Sequence, residues 1–488
     1  MAQPGEGGGP TCSRIFSMAD QRAFAGLSGD YNPMHVDPVA ARRLLFGKVV
    51  VHGLHGLLWA MEACCARLAA PIALRSARVR FCGPIGVGDE VVAAIAFPKV
   101  GCVELTILAE EEVKTTAFLE FMPVTWKWSA AVKPREDFST GEDCRELTFE
   151  QASTDRGRIP LVLNPLAWTR AFPNLAAGLP MLQAAQLLAI TRLVGMHCPG
   201  RHSLLCDLEF CFTPASPVAP ELAYAVASAD GRTGKLVLHI ESPGMVGMLR
   251  TFLRPRPAVQ ASMADVARRV RPDEFKECRA LIIGGTRGLG ETTAKLLAAG
   301  GASVRLTYHQ GRADGERVAH EIAKAGGEAG VFHLDVTARP LDLRDSLAGW
   351  MPTHLFYFAT PRIRRGRPGT FSPTLFNTFC QYYVEGFYET VAAVRALTAR
   401  PLIIVYPSTA FLDDPKTDFG EYVAAKAAGE RLGVHLQRIL PGVSVHRPRL
   451  PRLKTDQVVG LLPVSAAEPI EVLLAMIRSL RVREGVRG

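Results

Sequence analysis

A chain of 488 residues is long enough for about three domains of ordinary size. Its 48% hydrophobic content supports sizeable cores and excludes global disorder. Lysine and arginine exceed the acids by nine (56 against 47), which favours anionic partners, yet no nucleic-acid motif accompanies the excess and nucleic acid is not expected.

The opening "MAQPGEGGGPTCSR" has no apolar core, so a signal peptide is not expected there. No run of about 18 uncharged apolar residues occurs, which argues against a membrane span. The eleven cysteines lack paired zinc-type spacing and read as reduced, mostly buried thiols. A cytoplasmic protein without a structural metal is expected.

"LSGDYNPMHVD" (27–37) places Asp30, Asn32 and His35 on a loop, because Gly29 and Pro33 disfavour a continuing helix. Asp37 reads as the N-cap of "PVAARRL", with Pro38 at the first helical position. An apolar helix follows from His52 ("HGLHGLLWAMEACCARL"), and then a strand run, "ARVRFCGP". The order recurs at "AGLPMLQAAQLLAITRLVG" and "CDLEFCFTP", which ends at Pro214. A long buried helix followed by several strands, present twice, suggests a helix wrapped by an antiparallel sheet in each of 1–130 and 131–262. The second copy has no counterpart of the Asp30/His35 pair. From 263 to 488 buried strand runs alternate with helical patterns, the signature of a doubly wound parallel sheet.

"IGGTRGLG" (283–290) joins the first of those strands to its first helix. There Gly284, Gly288 and Gly290 would let backbone approach a pyrophosphate at the helix N-terminus. Arg287 in that loop, with no acid closing "VRLTYHQGR", favours a 2′-phosphate and therefore NADP over NAD. Downstream, Tyr422 and Lys426 share a helix face at i, i+4, where an ammonium beside the phenol would lower its pKa for proton transfer. Ser408 ends the preceding strand and could hydrogen-bond a substrate carbonyl.

At these residues the segment resembles the short-chain dehydrogenase/reductases. The resemblance implies Tyr422 as acid/base, Ser408 as the carbonyl-orienting group and Lys426 on the nicotinamide ribose. It implies a cofactor site of Gly284, Thr286, Arg287, Gly288, Gly290, Asp335, Tyr422 and Lys426, filled by NADP(H). Three departures stand out. Ile283 replaces the family's opening threonine, "YFAT" replaces its strand end "NNAG", and its helix asparagine is lost within "YYVEGF", with Glu385 as the stand-in.

Residues 14–125 resemble the MaoC-like, or (R)-specific enoyl-CoA hydratase, family. The match runs through Ser28, Gly29, Asp30, Asn32, Pro33, His35 and Asp37, then Phe46, Gly47, His52 and Gly53. The fold implied is a double hot-dog, followed here by a Rossmann-type sheet. The resemblance assigns acid/base work to Asp30 and His35 and an oxyanion-binding N–H to Gly53 at a helix start. Asn32 would orient the loop and His52 would be a structural hydrogen-bonder.

The two signatures imply consecutive steps on an acyl-carrier protein or coenzyme A thioester. A 3-oxoacyl group would be reduced to the (R)-3-hydroxyacyl and then dehydrated to the trans-2-enoyl thioester. Such carriers are anionic and suit the arginine-rich stretches "PRIRRGRPG" (361–369) and "HRPRLPRLK" (446–454). A homo-oligomer is expected. Alternatives are a reductase acting on an unrelated ketone, or a non-catalytic acyl-thioester-binding module with a nucleotide-sensing domain.

Overall fold

The computed structural model describes residues 11–67, 72–123, 132–139, 143–213, 219–366, 369–414, 416–458 and 465–482. Residues 1–10 and Pro214, to which two sequence expectations refer, lie outside them. Chain contacts separate two compact units between Arg256 and Pro257.

The first unit is built on one ten-stranded antiparallel sheet. In sheet order the strands of the first half are Thr11–Ile15, Glu90–Lys99, Cys102–Ala109, Glu112–Pro123 and Ile72–Phe81. Those of the second half are Ser203–Phe212, Met245–Leu253, Lys235–Ser242, Glu221–Asp230 and Arg156–Pro160. The halves join where Ile72–Phe81 pairs with Ser203–Phe212, from Ser76 opposite Cys211 to Arg80 opposite Asp207. Residues 1–130 and 131–262 therefore share a sheet, and a single apolar cluster runs through both.

Each half wraps a helix that is apolar almost all round, the pattern of an element buried on every side. Gly53–Cys65 buries Leu54 through Met61 together with Cys64 and Cys65, and Met181–Arg192 buries every residue from Leu182 onward. Polar groups on the second helix are matched to backbone. Gln183 both accepts from Leu74 N–H and donates to Leu74 C=O, each at 2.8 Å, where the register of Ile72–Phe81 slips between Leu74 and Ser76. That side chain supplies the ladder bonds the bulge would otherwise lose.

The second unit carries a six-stranded, wholly parallel sheet. Its order is Glu328–His333, Ser303–Tyr308, Arg279–Ile283, His354–Tyr357, Leu402–Val405 and Val443–His446. In chain order that is 3-2-1-4-5-6, the doubly wound arrangement whose ligand crevice lies beyond the carboxyl end of the first strand. The fold class read from the sequence, a double hot-dog and then a Rossmann-type sheet, is the one observed. No helix among the described residues is long and apolar enough to cross a membrane.

Candidate active sites

In the first unit the helix Met18–Ser28 opens with a capping box, Ser17 with Asp20, and ends at Gly29 in the left-handed region (φ 78°). That reversal turns Asp30 inward, 2% exposed. Asn32 caps the single turn Pro33–Val36 by accepting from Met34 N–H at 3.1 Å, with Pro33 at its first position. The Asn32 amide then donates to the carbonyls of Gly195, Gly200 and Arg201 at 3.0, 3.3 and 3.3 Å, all from the second half. Asp37 caps Pro38–Ala41 through the N–H groups of Val39 and Ala40, as its sequence context predicts.

Asp30 accepts from Thr191 Oγ1 at 2.7 Å and from Asn32 N–H at 3.2 Å. Thr191 lies on the second buried helix, and a Cβ on nearby Gly195 would stand 2.0 Å from the Asp30 carboxylate. The second half, lacking an acid/base pair of its own, thus provides the wall and one hydroxyl for the first half's acid. His35 donates from Nδ1 to Val50 C=O at 2.7 Å, since a carbonyl only accepts, which leaves Nε2 as a free base. Its ring stacks on His52 at 3.9 Å. Burial raises the Asp30 pKa against the pull of His35, and burial lowers that of His35 against the pull of Asp30. The carboxyl is driven toward its protonated form and the imidazole toward its neutral one, the condition for exchanging protons with a substrate.

His52 holds the loop. Its ring nitrogens lie 2.9 Å from Asp30 C=O and 3.0 Å from Gln21 Oε1, and burial keeps it far below the usual histidine pKa. Gly53 next to it begins the helix, where the first N–H groups have no intrahelical acceptor. Asp30, His35 and His52 bring ligand-type atoms within 4.8 Å of one another. The nitrogens of His52 and Nδ1 of His35 already have partners, so the set suits proton transfer better than a cation.

In the second unit the glycine loop has the geometry its sequence predicts. Gly284 and Gly288 take φ of 76° and 56°, and a Cβ on Gly290 would meet Gly284 O at 2.2 Å, so helix and strand pack too closely for any side chain. Thr286 is buried behind the loop, Gly284 N–H donates to Thr307 Oγ1 at 3.0 Å, and Asp335 accepts from Thr337 N–H and Oγ1 at 2.9 and 2.7 Å. Arg287 precedes the helix Gly288–Ala299, and its guanidinium is ion-paired with Asp456. Tyr422 and Lys426 lie one turn apart on Gly420–Ile439.

Comparison with known proteins assigns both units. The family described as MaoC like domain matches residues 3–117, and short chain dehydrogenase matches 279–348. The (R)-specific enoyl-CoA hydratase of Aeromonas caviae is 36% identical over 104 residues, 20% of this chain and 69% of that protein. A short-chain dehydrogenase/reductase homolog of Bacillus subtilis, YusS, is 33% identical over 75 residues, 15% of this chain and 68% of that one. The chain belongs to the MaoC-like and short-chain dehydrogenase/reductase families. It also resembles the mitochondrial 3-hydroxyacyl-[acyl-carrier-protein] dehydratase of Arabidopsis thaliana at 31% identity over 83 residues, 17% of this chain, and spans about half (49%) of that relative's length.

Within the second unit two sequence expectations need correction. The Lys426 ammonium does not bear on the Tyr422 hydroxyl. It donates to Pro407 C=O at 2.8 Å and lies 4.0 and 4.9 Å from the ring centres of Tyr383 and Tyr406. Burial pushes Tyr422 up to about 12 and Lys426 down to about 7, the reverse of the lowering expected for the phenol. Ser408 is buried and its hydroxyl has no hydrogen-bond partner among the described residues, while Arg449 holds the Glu430 carboxyl low. Glu385 points outward, 60% exposed and 3.7 Å from Arg339, while fully buried Tyr383 stands against Lys426 with its hydroxyl 2.6 Å from Thr360 Oγ1.

The arginine-rich stretches are also less available than their charge suggests. Arg449 binds Glu430 and Asp413, Arg365 lies 3.5 Å from Asp418, and Arg452 covers the Phe411 ring. Much of this charge serves internal packing.

Proposed function

We propose that the first unit interconverts (R)-3-hydroxyacyl and trans-2-enoyl thioesters, carried on acyl-carrier protein or coenzyme A. The observation that supports this reading is the juxtaposition of buried Asp30 and neutral His35 against Thr191 and Gly195 of the second half, with Gly53 starting the helix that follows His52. In the dehydration direction His35 Nε2 takes the proton from C2. Electron density moves onto the thioester oxygen, which the N–H at the start of Gly53–Cys65 stabilises. The C3–O bond then breaks as Asp30 gives its proton to the departing hydroxyl, and water leaves. Hydration reverses each step.

We infer for the second unit a reduction of the 3-oxoacyl thioester that supplies this substrate, with NADP(H) as the hydride carrier. The glycine loop with Thr286, Arg287 and Asp335 would hold the nucleotide, and Lys426 its ribose. Tyr422 would deliver the proton to the carbonyl oxygen, and the unpartnered Ser408 hydroxyl would orient that carbonyl. Before that, Lys426 has to leave the Tyr383 and Tyr406 rings and Arg287 has to part from Asp456. Those two contacts favour a second reading, in which the unit binds nucleotide without turning over a ketone.

Incubating the full chain with acetoacetyl-CoA and NADPH, and separately with crotonyl-CoA, and following each product by mass separates the readings. Successive formation of 3-hydroxybutyryl- and crotonyl-CoA supports the two-step sequence, with the (R) alcohol accumulating in Asp30→Asn. Crotonyl-CoA hydration without any ketone reduction supports the sensing reading, and (S) alcohol refutes the coupling.

A further inference from the structure

Arg254 directly follows the strand Met245–Leu253 and is 2% exposed. A guanidinium so deeply buried ordinarily requires a carboxylate. Among the described residues none reaches it. Nε donates to Ser203 C=O at 2.9 Å, Nη2 to Arg201 C=O at 3.1 Å, and the backbone N–H to His202 C=O at 2.7 Å. Nη1 has no hydrogen-bond partner among the described residues. Burial brings its pKa only to about 10, so the charge persists at neutral pH.

Two features tie this charge to the hydratase site. The Arg201 carbonyl that receives Nη2 also receives the Asn32 amide, so one oxygen links the guanidinium to the anchor of the catalytic loop. His35 also feels the charge, which opposes its protonation. The other groups facing His35 are the Asp30 carboxyl, the Val50 carbonyl on Nδ1 and the stacked ring of His52. Burial is the main influence opposing protonation of His35, Asp30 favours it, and Arg254 adds a smaller opposing one.

We propose that Arg254 is a positioning residue for the acid–base step: its planar fork fixes the 201–203 backbone from which Asn32, and with it the Asp30/His35 loop, hangs. Lysine could supply the charge but not the fork, and glutamine could supply neither the charge nor the full donor set.

The inference rests on the hydratase reading, and pH profiles of crotonyl-CoA hydration by wild type, Arg254→Gln and Arg254→Lys test it. Removing a positive neighbour raises a histidine pKa, so in Arg254→Gln the limb that reports His35 should move to higher pH. Its kcat should fall about tenfold with a smaller change in KM, as expected when catalytic groups are displaced. Arg254→Lys should return the limb to its wild-type position while kcat stays depressed. A merely structural arginine would instead lower kcat in step with melting temperature and leave the limb in place. Either that outcome or a wild-type profile in Arg254→Gln overturns the proposal. NMR titration of the His35 ring protons reads the same shift without turnover, so a chain that fails to hydrate crotonyl-CoA would refute the hydratase reading while still deciding the role of Arg254.

Discussion

The two candidate sites differ in how their reacting groups are held. In the hydratase unit each side chain of the acid/base pair already has the partners that fix its protonation and direction: Thr191 and Asn32 on Asp30, Val50 on His35. In the reductase unit the family's residue types are present, but their polar ends face the protein. Lys426 lies against two tyrosine rings and Arg287 against Asp456. The difference follows from what completes each site. The first is closed by a second copy of its own fold, which belongs to the chain. On the proposed reading a nucleotide would complete the second and replace neighbouring side chains as the partner of these charges. A preserved motif therefore identifies chemistry, whereas readiness depends on what surrounds it.

The comparison can be broken most severely at Asn32. Asn32→Ala removes a donor shared by the Gly195, Gly200 and Arg201 carbonyls, two of which keep another partner, and should cost about 1–2 kcal/mol of stability, seen in denaturant unfolding of the first unit. Crotonyl-CoA hydration should fall roughly a hundredfold or more as the loop loses its register. Retention of both would mean that the second half does not position the site.

A smaller effect should appear in the pH dependence of NADPH binding. Burial sets Lys426 to about 7 in the free chain, so the ammonium that would hold the ribose is lost above that pH and present below it. Affinity measured by fluorescence titration should be highest below pH 7 and weaken about tenfold for each pH unit well above it, as linkage requires when only the charged form binds. A flat profile would show that Lys426 takes no part. The smallest effect belongs to Asp456→Asn. Removing this ion pair should tighten NADPH by roughly fivefold and leave NADH unchanged, because only the former carries a 2′-phosphate for a charge-assisted contact. Equal gains for both would remove Arg287 from the discrimination.

Local signals in the sequence were informative in proportion to how short a stretch they needed. Asp37 and its proline and the glycine loop each depend on residues close in the chain and are found in the expected form, whereas His35, expected on a loop, sits in the single helical turn Pro33–Val36. Thr191 and the carbonyls that receive Asn32 lie about 160 residues away and carry no motif of their own, so only the closed sheet reveals them. Glu385 appeared a plausible stand-in for the missing asparagine because it is polar. Burial instead selects Tyr383, two residues earlier, in a stretch wound with the wider π-helical hydrogen bonding over Gln381–Gly386.

The central claim is that Asp30 and His35 carry out proton transfer on an acyl thioester. Its most direct test is the rate of crotonyl-CoA hydration by wild type, Asp30→Asn and His35→Ala, with melting temperature and NADPH affinity measured on the same samples. The account predicts a fall of at least about a hundredfold in each variant, the usual contribution of a positioned acid or base, with both control quantities unchanged. Hydration at near wild-type rate in both folded variants would contradict it.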